Sequence, residues 1–320
     1  KRTVLWEKSV APTYNHPNLT ATDNINNITG KNDWIAIVHA DGNGLGQVIR
    51  TIGDNNGKLH QFSLALDKAT TAAAQEAAAI TLNETDTQGL KYYPFRPIVL
   101  GGDDLTVIIR GDLAVKYAKT FLNAFEKETK ERLANIDVRL GNGLTACAGI
   151  AFIKSSFPYY YGYNLAEDLC SAAKKDTKSR GNDVRSCIMF HKVQDSFVEE
   201  YKEITERELT ISKDLSLRFG PYYLDKSNID RWSIDDLVKT VKELDDKEGN
   251  ALKSGIRQWL TALLENGGEE KAKQVYSRLH EITSKKDIAE CLTKKRSGGS
   301  EAVPAYDVLS LHSIESQQTK

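Results

Sequence analysis

The chain has almost no net charge: 43 Lys and Arg stand against 44 Asp and Glu, leaving −1 over 320 residues. Bulk attraction therefore gives it no general affinity for a polyanion or an anionic membrane surface, and a phosphate-bearing ligand has to be held locally. Cysteine is scarce. Cys147, Cys170, Cys187 and Cys291 lie far apart in sequence and form no CxxC pair, which speaks against a zinc site and a disulfide framework. A reducing cytoplasm is the expected setting. No run approaches the ~20 apolar residues needed to span a bilayer, and residues 1 to 6 lack the apolar core of a signal peptide, so no membrane partner is expected. Spacing reveals neither a His-Asp cluster of nuclease type nor a Ser-His-Asp constellation. The first residue is Lys and not Met, as in a piece trimmed from something longer.

What is present divides into two characters, and a chain of this length holds two domains of ordinary size. Residues 1–32 read as an irregular extension rich in Asn, Thr, Asp and Pro. From Trp34, the run Trp-Ile-Ala-Ile-Val-His-Ala is nearly continuous and β-branched, as in a strand buried on both faces, and it stops at Asp41-Gly42-Asn43-Gly44. Residues 60–82 carry the alanine content and 3-4 spacing of a buried helix. Two apolar runs, 95–100 and 105–109, flank Gly101-Gly102-Asp103-Asp104, which is hairpin composition. A second amphipathic helix runs from Ala114 to about Leu133, a buried strand spans 144–153, a helix spans 164–176 with Asn164 as N-cap, and a last short strand spans 186–190. The order β-α-β-β-α-β-α-β over 33–195 is α+β, a ferredoxin-like palm with helices expected on one face of the sheet. Residues 196–320, with charged helical stretches punctuated at Asn266-Gly267-Gly268 and Ser297-Gly298-Gly299-Ser300, read as an all-α C-terminal domain.

The acids carry the chemistry. Phosphoryl transfer to a hydroxyl needs charge neutralisation more than covalent help, and a pair of divalent ions needs several convergent carboxylates. Asp41 at a strand end and Asp103 with Asp104 in the neighbouring hairpin would meet at one sheet edge. Gly101 and Gly102 would let the backbone turn sharply and approach a triphosphate. GGDD alone is also ordinary turn composition; it is Asp41 and the glycine-rich Asn43-Gly44-Leu45-Gly46, with the right elements between, that favour a palm.

The segments Ala40-Asp41-Gly42-Asn43-Gly44-Leu45-Gly46, Arg96-Pro97-Ile98-Val99-Leu100-Gly101-Gly102-Asp103-Asp104-Leu105, Ala148-Gly149-Ile150-Ala151 and Ala173-Lys174 resemble the palm of the CRISPR polymerase/cyclase family. That family includes the second, GGDD-bearing palm of the type III CRISPR effector large subunit and minimal stand-alone relatives, and is distantly similar to GGDEF-type nucleotide cyclases. The resemblance implies synthesis of cyclic oligoadenylates or cyclic dinucleotides from ATP. It implies Mg²⁺ or Mn²⁺ held by Asp41, the Gly42 carbonyl, Asp103 and Asp104. The nucleotide-binding set it implies is Gly42, Asn43, Gly44, Leu45, Gly46, Gly101, Gly102 and Lys174, the last touching the triphosphate. Asn43 departs from the acid that many relatives carry. The implied partners are ATP or another nucleoside triphosphate, an RNA-containing effector complex, and a second palm supplied by homodimerisation or by a missing part of a larger chain.

Other features weigh less. His39 reads better as a hydrogen-bonded core histidine than as a pocket residue. Tyr159, Tyr160, Tyr161 and Tyr163 could stack a base, but such runs more often seal an interface. Lys174, Lys175, Lys178, Arg180 and Arg185 form a basic strip that a solvated surface explains nearly as well. The competing reading for the whole chain is a non-catalytic, nucleotide-binding palm that serves as scaffold or RNA-sensing subunit. A template-directed polymerase is disfavoured, because no fingers or thumb insertion interrupts the palm elements.

Overall fold

The computed structural model describes residues 2–10, 18–29, 33–53, 56–83, 89–136, 140–181, 183–194, 200–213, 215–225, 231–265, 267–296 and 301–315. The expected breaks at Asn266 and at Ser297 to Ser300 lie outside the described residues. The chain forms two compact units: Lys1–Ser196 with Pro221–Arg231, and Phe197–Gly220 with Trp232–Lys320. The first unit thus includes a later segment, Pro221–Arg231, besides the residues up to Ser196.

In the first unit, β1 (Trp34–Gly42) is followed by α2 (Leu45–Ile52) and α3 (Asn56–Asn83), then β2 (Phe95–Gly101), β3 (Asp104–Arg110), α4 (Ala114–Leu133), β4 (Ala146–Lys154), α5 (Tyr159–Lys178) and β5 (Cys187–Lys192). The sheet order is β2-β3-β1-β4-β5-β7, where β7 is Tyr222–Tyr223 of the returning segment. β1 pairs antiparallel with both β3 and β4, β4 runs parallel to β5, and β7 closes the edge antiparallel to β5. Trp34, Ile35, Ala36, Ile37, Val38 and Ala40 are all buried, which is why this strand reads as a continuous apolar run.

The helices take both faces, not one. α5 covers the Ile37 and His39 face so closely that a Cβ on Gly162 would fall 2.8 Å from Ile37 Cδ1 and Ile153 Cδ1, and one on Gly149 only 2.0 Å from the Ala166 carbonyl oxygen. Ala36, Val38 and Ala40, which alternate to the opposite face, are equally buried; α4 packs on β1 and β4 and along α3.

Several elements differ from expectation. α1 (Arg2–Ser9) forms within the stretch expected to be irregular, where the Trp6 ring packs at a tilt 5.1 Å from Tyr93 and 5.6 Å from Phe95. α5 starts at Tyr159, with Pro158 and not Asn164 as its N-cap, in the extended backbone (ψ 123°) usual for a residue just outside a helix. The second unit contains α6 (Tyr201–Arg207), α7 (Ile234–Lys242), α8 (Lys247–Leu264), α9 (Glu269–Ile282), α10 (Lys286–Thr293) and α11 (Ala305–Glu315). It also holds one parallel pair, β6 (Leu215–Ser216) with β8 (Glu301–Ala302). Among the described residues, no helix is long and apolar enough to cross a membrane.

Candidate active site at the acidic edge

Asp41 is the last residue but one of β1, and the register Ala40↔Leu105 places the start of β3, Asp104, beside it. β2 and β3 close through Gly101↔Asp104, leaving Gly102 and Asp103 as a two-residue turn with Gly102 at φ +62°, the left-handed region that favours glycine. α3 pins this turn, since Thr70 Oγ1 donates to the Gly102 carbonyl at 2.6 Å. The result is that carboxylate oxygens of Asp41, Asp103 and Asp104 lie within 4.8 Å of one another. Asp41 and Asp103 are half-buried and Asp104 is exposed.

Crowding leaves a mark on their acidity. Burial, reinforced by the hydrogen bond and charge of neighbouring Asp41, raises the Asp103 carboxyl from 3.8 to about 6. Asp104 is raised by burial and then by Asp41. Gly42 allows a close approach: a Cβ there would stand 3.0 Å from Asp103 Oδ2. From α5, the ammonium of Lys174 reaches across and donates both to Asp41 Oδ2 and, at 2.8 Å, to the Gly42 carbonyl. A cation thus already sits on two of the four expected metal-binding groups.

The remaining expected residues separate into two sets. Gly44 is at φ +72° and forms the N-cap of α2, with Leu45 half-buried and Gly46 exposed, so this backbone stays open beside the acids. Asn43 turns away. It is buried at 6% exposure, its side-chain amide donates to Thr145 Oγ1 at 3.0 Å, and its oxygen accepts from Cys147 Sγ at 3.4 Å. The polar side chain at this position therefore ties the end of β1 to the start of β4. Lys175 and Lys178 are exposed, Arg180 pairs with Asp176 and Tyr223, and Arg185 pairs with Asp183, so of the basic strip Lys174 alone is brought onto the acids.

His39 is half-buried, with Nδ1 3.0 Å from Thr106 Oγ1, and burial lowers its pKa. Tyr163 meets it edge-on at 6.0 Å and donates to Glu167 Oε1 at 2.8 Å. This wall of Thr106, His39, Tyr163 and Glu167, like the Thr70 anchor, is invisible without the register. So is the meeting of cysteines: Cys147 and Cys187 bring their sulfurs to 3.5 Å beneath Asn43, and Cys170 donates to the Cys147 carbonyl at 3.2 Å.

An antiparallel β2-β3-β1 core with an acid from β1 and a GGDD hairpin at one sheet edge defines a palm domain. Residues 34–183 match the family model of the Cas10/Cmr2 second palm domain. Among solved structures, a Csm1–Csm4 cassette in complex with cA3 aligns at TM-score 0.53 and 14% identity, over 90% of this chain and 36% of that one. A Csm1–Csm4 cassette in complex with AMPPNP aligns at TM-score 0.53 and 15% identity with the same coverage. At such identity the likeness is one of fold, and the chain spans about a third of the length of those relatives. No curated protein matches the chain.

Proposed function

We propose that the palm is a divalent-metal-dependent nucleotidyltransferase of cyclase type that joins ATP into a cyclic oligonucleotide messenger in CRISPR-type antiviral signalling. The carrying observation is the meeting of Asp41, Asp103 and Asp104 within 4.8 Å. Three like charges at that separation repel, and a palm kept only as scaffold gains nothing from them.

The donor set fits Mg²⁺ or Mn²⁺. Asp41, Asp103, Asp104 and the Gly42 carbonyl are all hard oxygen donors, and the Lys174 ammonium already occupies Asp41 and Gly42 as a cation would. Bound there, divalent ions supply charge neutralisation for the triphosphate and for the attacking and leaving oxygens. The chain's own groups do the rest. Gly42, Gly44, Gly46, Gly101 and Gly102 leave room for phosphate against backbone, and the start of α2 offers free N–H groups to it. Lys174, once released from Asp41, is in reach of the same phosphates. A ribose hydroxyl then attacks an α-phosphate and pyrophosphate leaves.

The test is to incubate the protein with Mg²⁺ or Mn²⁺ and each nucleoside triphosphate in turn and to resolve products by mass. A cyclic oligoadenylate or cyclic dinucleotide supports the reading. Nucleotide binding without product at any protein concentration, even when a second palm is supplied, would leave the non-catalytic scaffold in its place.

A further inference from the structure

Two residues back from the acids, a second row of side chains crosses the same face of the sheet. The registers His39↔Thr106 and Val99↔Thr106 align β1, β3 and β2 at this row, just as Asp104 pairs with Gly101 at the acidic edge with Asp41 beside them. Successive residues of a strand alternate faces, so the two rows share one face and lie about 7 Å apart. Thr106 is buried and holds His39 Nδ1 at 3.0 Å, His39 is half-buried, and Val99 on the edge strand β2 is 39% exposed. The row is therefore a ledge that opens to solvent at the side of the sheet.

α5 supplies its wall. Tyr163, Glu167 and Lys174 follow one another at intervals of four and seven residues, on one face of the helix. Lys174 reaches the acids, and Glu167 stands about 10 Å back along the axis for those seven residues. Tyr163 meets the His39 ring edge-on at 6.0 Å and donates to Glu167 Oε1 at 2.8 Å. Burial and then this hydrogen bond push the Tyr163 phenol up to about 12, so it keeps its proton and fixes the carboxylate. Glu167 is half-buried, and no other hydrogen bond to it is found among the described residues, which leaves acceptor capacity for a ligand. It is also near enough to the acidic edge to add, behind burial and Asp41, to the upward push on Asp104.

The two ends of this wall sort a nucleotide by charge. Lys174 and the free N–H groups at the start of α2 attract phosphate, whereas a carboxylate repels it. A triphosphate held at the acids therefore turns its uncharged part toward Glu167. An ionised carboxylate accepts hydrogen bonds and donates none, so it recognises a donor on that part. At about 7 Å from the acid row, the ledge suits the sugar next to a metal-held α-phosphate, while the edge of the base lies farther out.

We infer that Glu167, held in place by Tyr163, reads the sugar of the bound nucleoside triphosphate: its open oxygen accepts a hydrogen bond from a ribose hydroxyl and so selects ribonucleotides over deoxyribonucleotides. This selection rests on nucleotide binding at the acidic edge, as in the function proposed above, and does not require turnover.

Equilibrium binding of the α,β-methylene analogues of ATP, 2′-deoxy-ATP, 3′-deoxy-ATP and ITP in Mn²⁺ tests it, because the methylene bridge cannot be displaced. The unmodified chain is expected to bind the ATP analogue about tenfold more tightly than one of the two deoxy analogues, the scale of one hydrogen bond to a charged group. Glu167→Ala should bring that ratio to about one and leave the ATP-to-ITP ratio as it was. Glu167→Gln, which keeps a carbonyl acceptor, should retain part of the preference, and Tyr163→Phe, which frees the carboxylate, should reduce it. A ratio near one in the unmodified chain, or a ratio unchanged in Glu167→Ala, would overturn the inference. So would a loss confined to the ATP-to-ITP ratio, which would assign Glu167 to the amino group of the base. Products of the cleavable nucleotides are scored apart: sugar discrimination without product keeps the inference and sinks the cyclase reading, and product without Glu167-dependent discrimination does the reverse. No nucleotide binding at all would overturn both.

Discussion

Lys174 on α5 donates its ammonium to Asp41 at the end of β1 and to the carbonyl of the following residue, Gly42. Metal and lysine therefore compete for the same oxygens. Lys174→Ala is expected to bind Mn²⁺ in the absence of nucleotide about two- to fivefold more tightly, the scale of a partly exposed ion pair. The same variant should raise the apparent KM for triphosphate and lower turnover. Titration calorimetry with Mn²⁺ alone reads the first effect and steady-state kinetics the second; Lys175→Ala, exposed and about 100° away on the helix, should change neither.

Removing the hairpin acids separates chemistry from folding. Asp103→Ala with Asp104→Ala is expected to abolish product formation while leaving the metal-free melting temperature unchanged or higher, since a repulsive cluster is relieved. A melting temperature lowered by several degrees would assign the two acids a structural role.

The raised Asp103 carboxyl carries a pH signature. Its folded pKa of about 6 lies above its ordinary 3.8, so between those values the folded chain holds the proton more tightly than the unfolded chain. This group's contribution to metal-free stability therefore falls as pH rises from about 4 to about 6 and stays lost above. Asp103→Asn should be the more stable protein in EDTA near pH 7, with the advantage vanishing near pH 4. A difference between the two proteins that stays constant over this range contradicts the assignment. Saturating Mg²⁺ should reverse the ranking at pH 7, because the metal favours the ionised carboxylate.

Gly42→Ala tests the fit at the edge. Its Cβ would press on Asp103 at 3.0 Å from Oδ2 and 3.1 Å from Cβ, so the hairpin has to give by a few tenths of an ångström as well as the carboxylate turning. Metal affinity is expected to fall at least tenfold while stability drops by only about 1 kcal/mol, the low end for inserted bulk. Equal metal affinity would mean that Asp103 is not a ligand.

Joining two triphosphates requires presenting one nucleotide's hydroxyl to the other's α-phosphate, and the described residues form one palm. Specific activity is expected to rise with protein concentration if two copies face each other through their acidic edges, or to appear only when a second palm is supplied. Sedimentation with ATP and Mg²⁺, combined with rates across a wide dilution series, decides. A monomer whose specific activity is constant on dilution contradicts both.

The parts of this site legible in the sequence are those written in short segments. β1 announces itself because both of its faces are buried, and the GGDD hairpin because its turn needs glycine at positive φ. What was not legible depends on packing. α11 has no apolar stripe to find, since Val308, Leu309, Ser310, Leu311 and His312 are buried on every side. The start of α5 was misplaced because a tyrosine run has no strong helical preference, and Pro158 settles the matter only by opening the first turn. Asn43 follows Asp41 and Gly42 in a motif that suggests ligand contact; only the pairing of β1 with β4 brings Thr145 and Cys147 to its side chain.

The returning segment has a practical consequence. Tyr222 stacks on Phe190 at 5.7 Å, Tyr223 donates to Asp176 at 2.5 Å and accepts from Arg180, and Arg231 reaches the same aspartate at 3.2 Å. A palm produced by stopping the chain at residue 196 would lose all four contacts together, strip β7 from the sheet, and leave the backbone of β5 as a bare edge open to pairing with other molecules. Such a fragment should aggregate, whereas one in which a short linker joins 196 to 221 and the chain stops after 231 keeps the sixth strand and should remain dispersed.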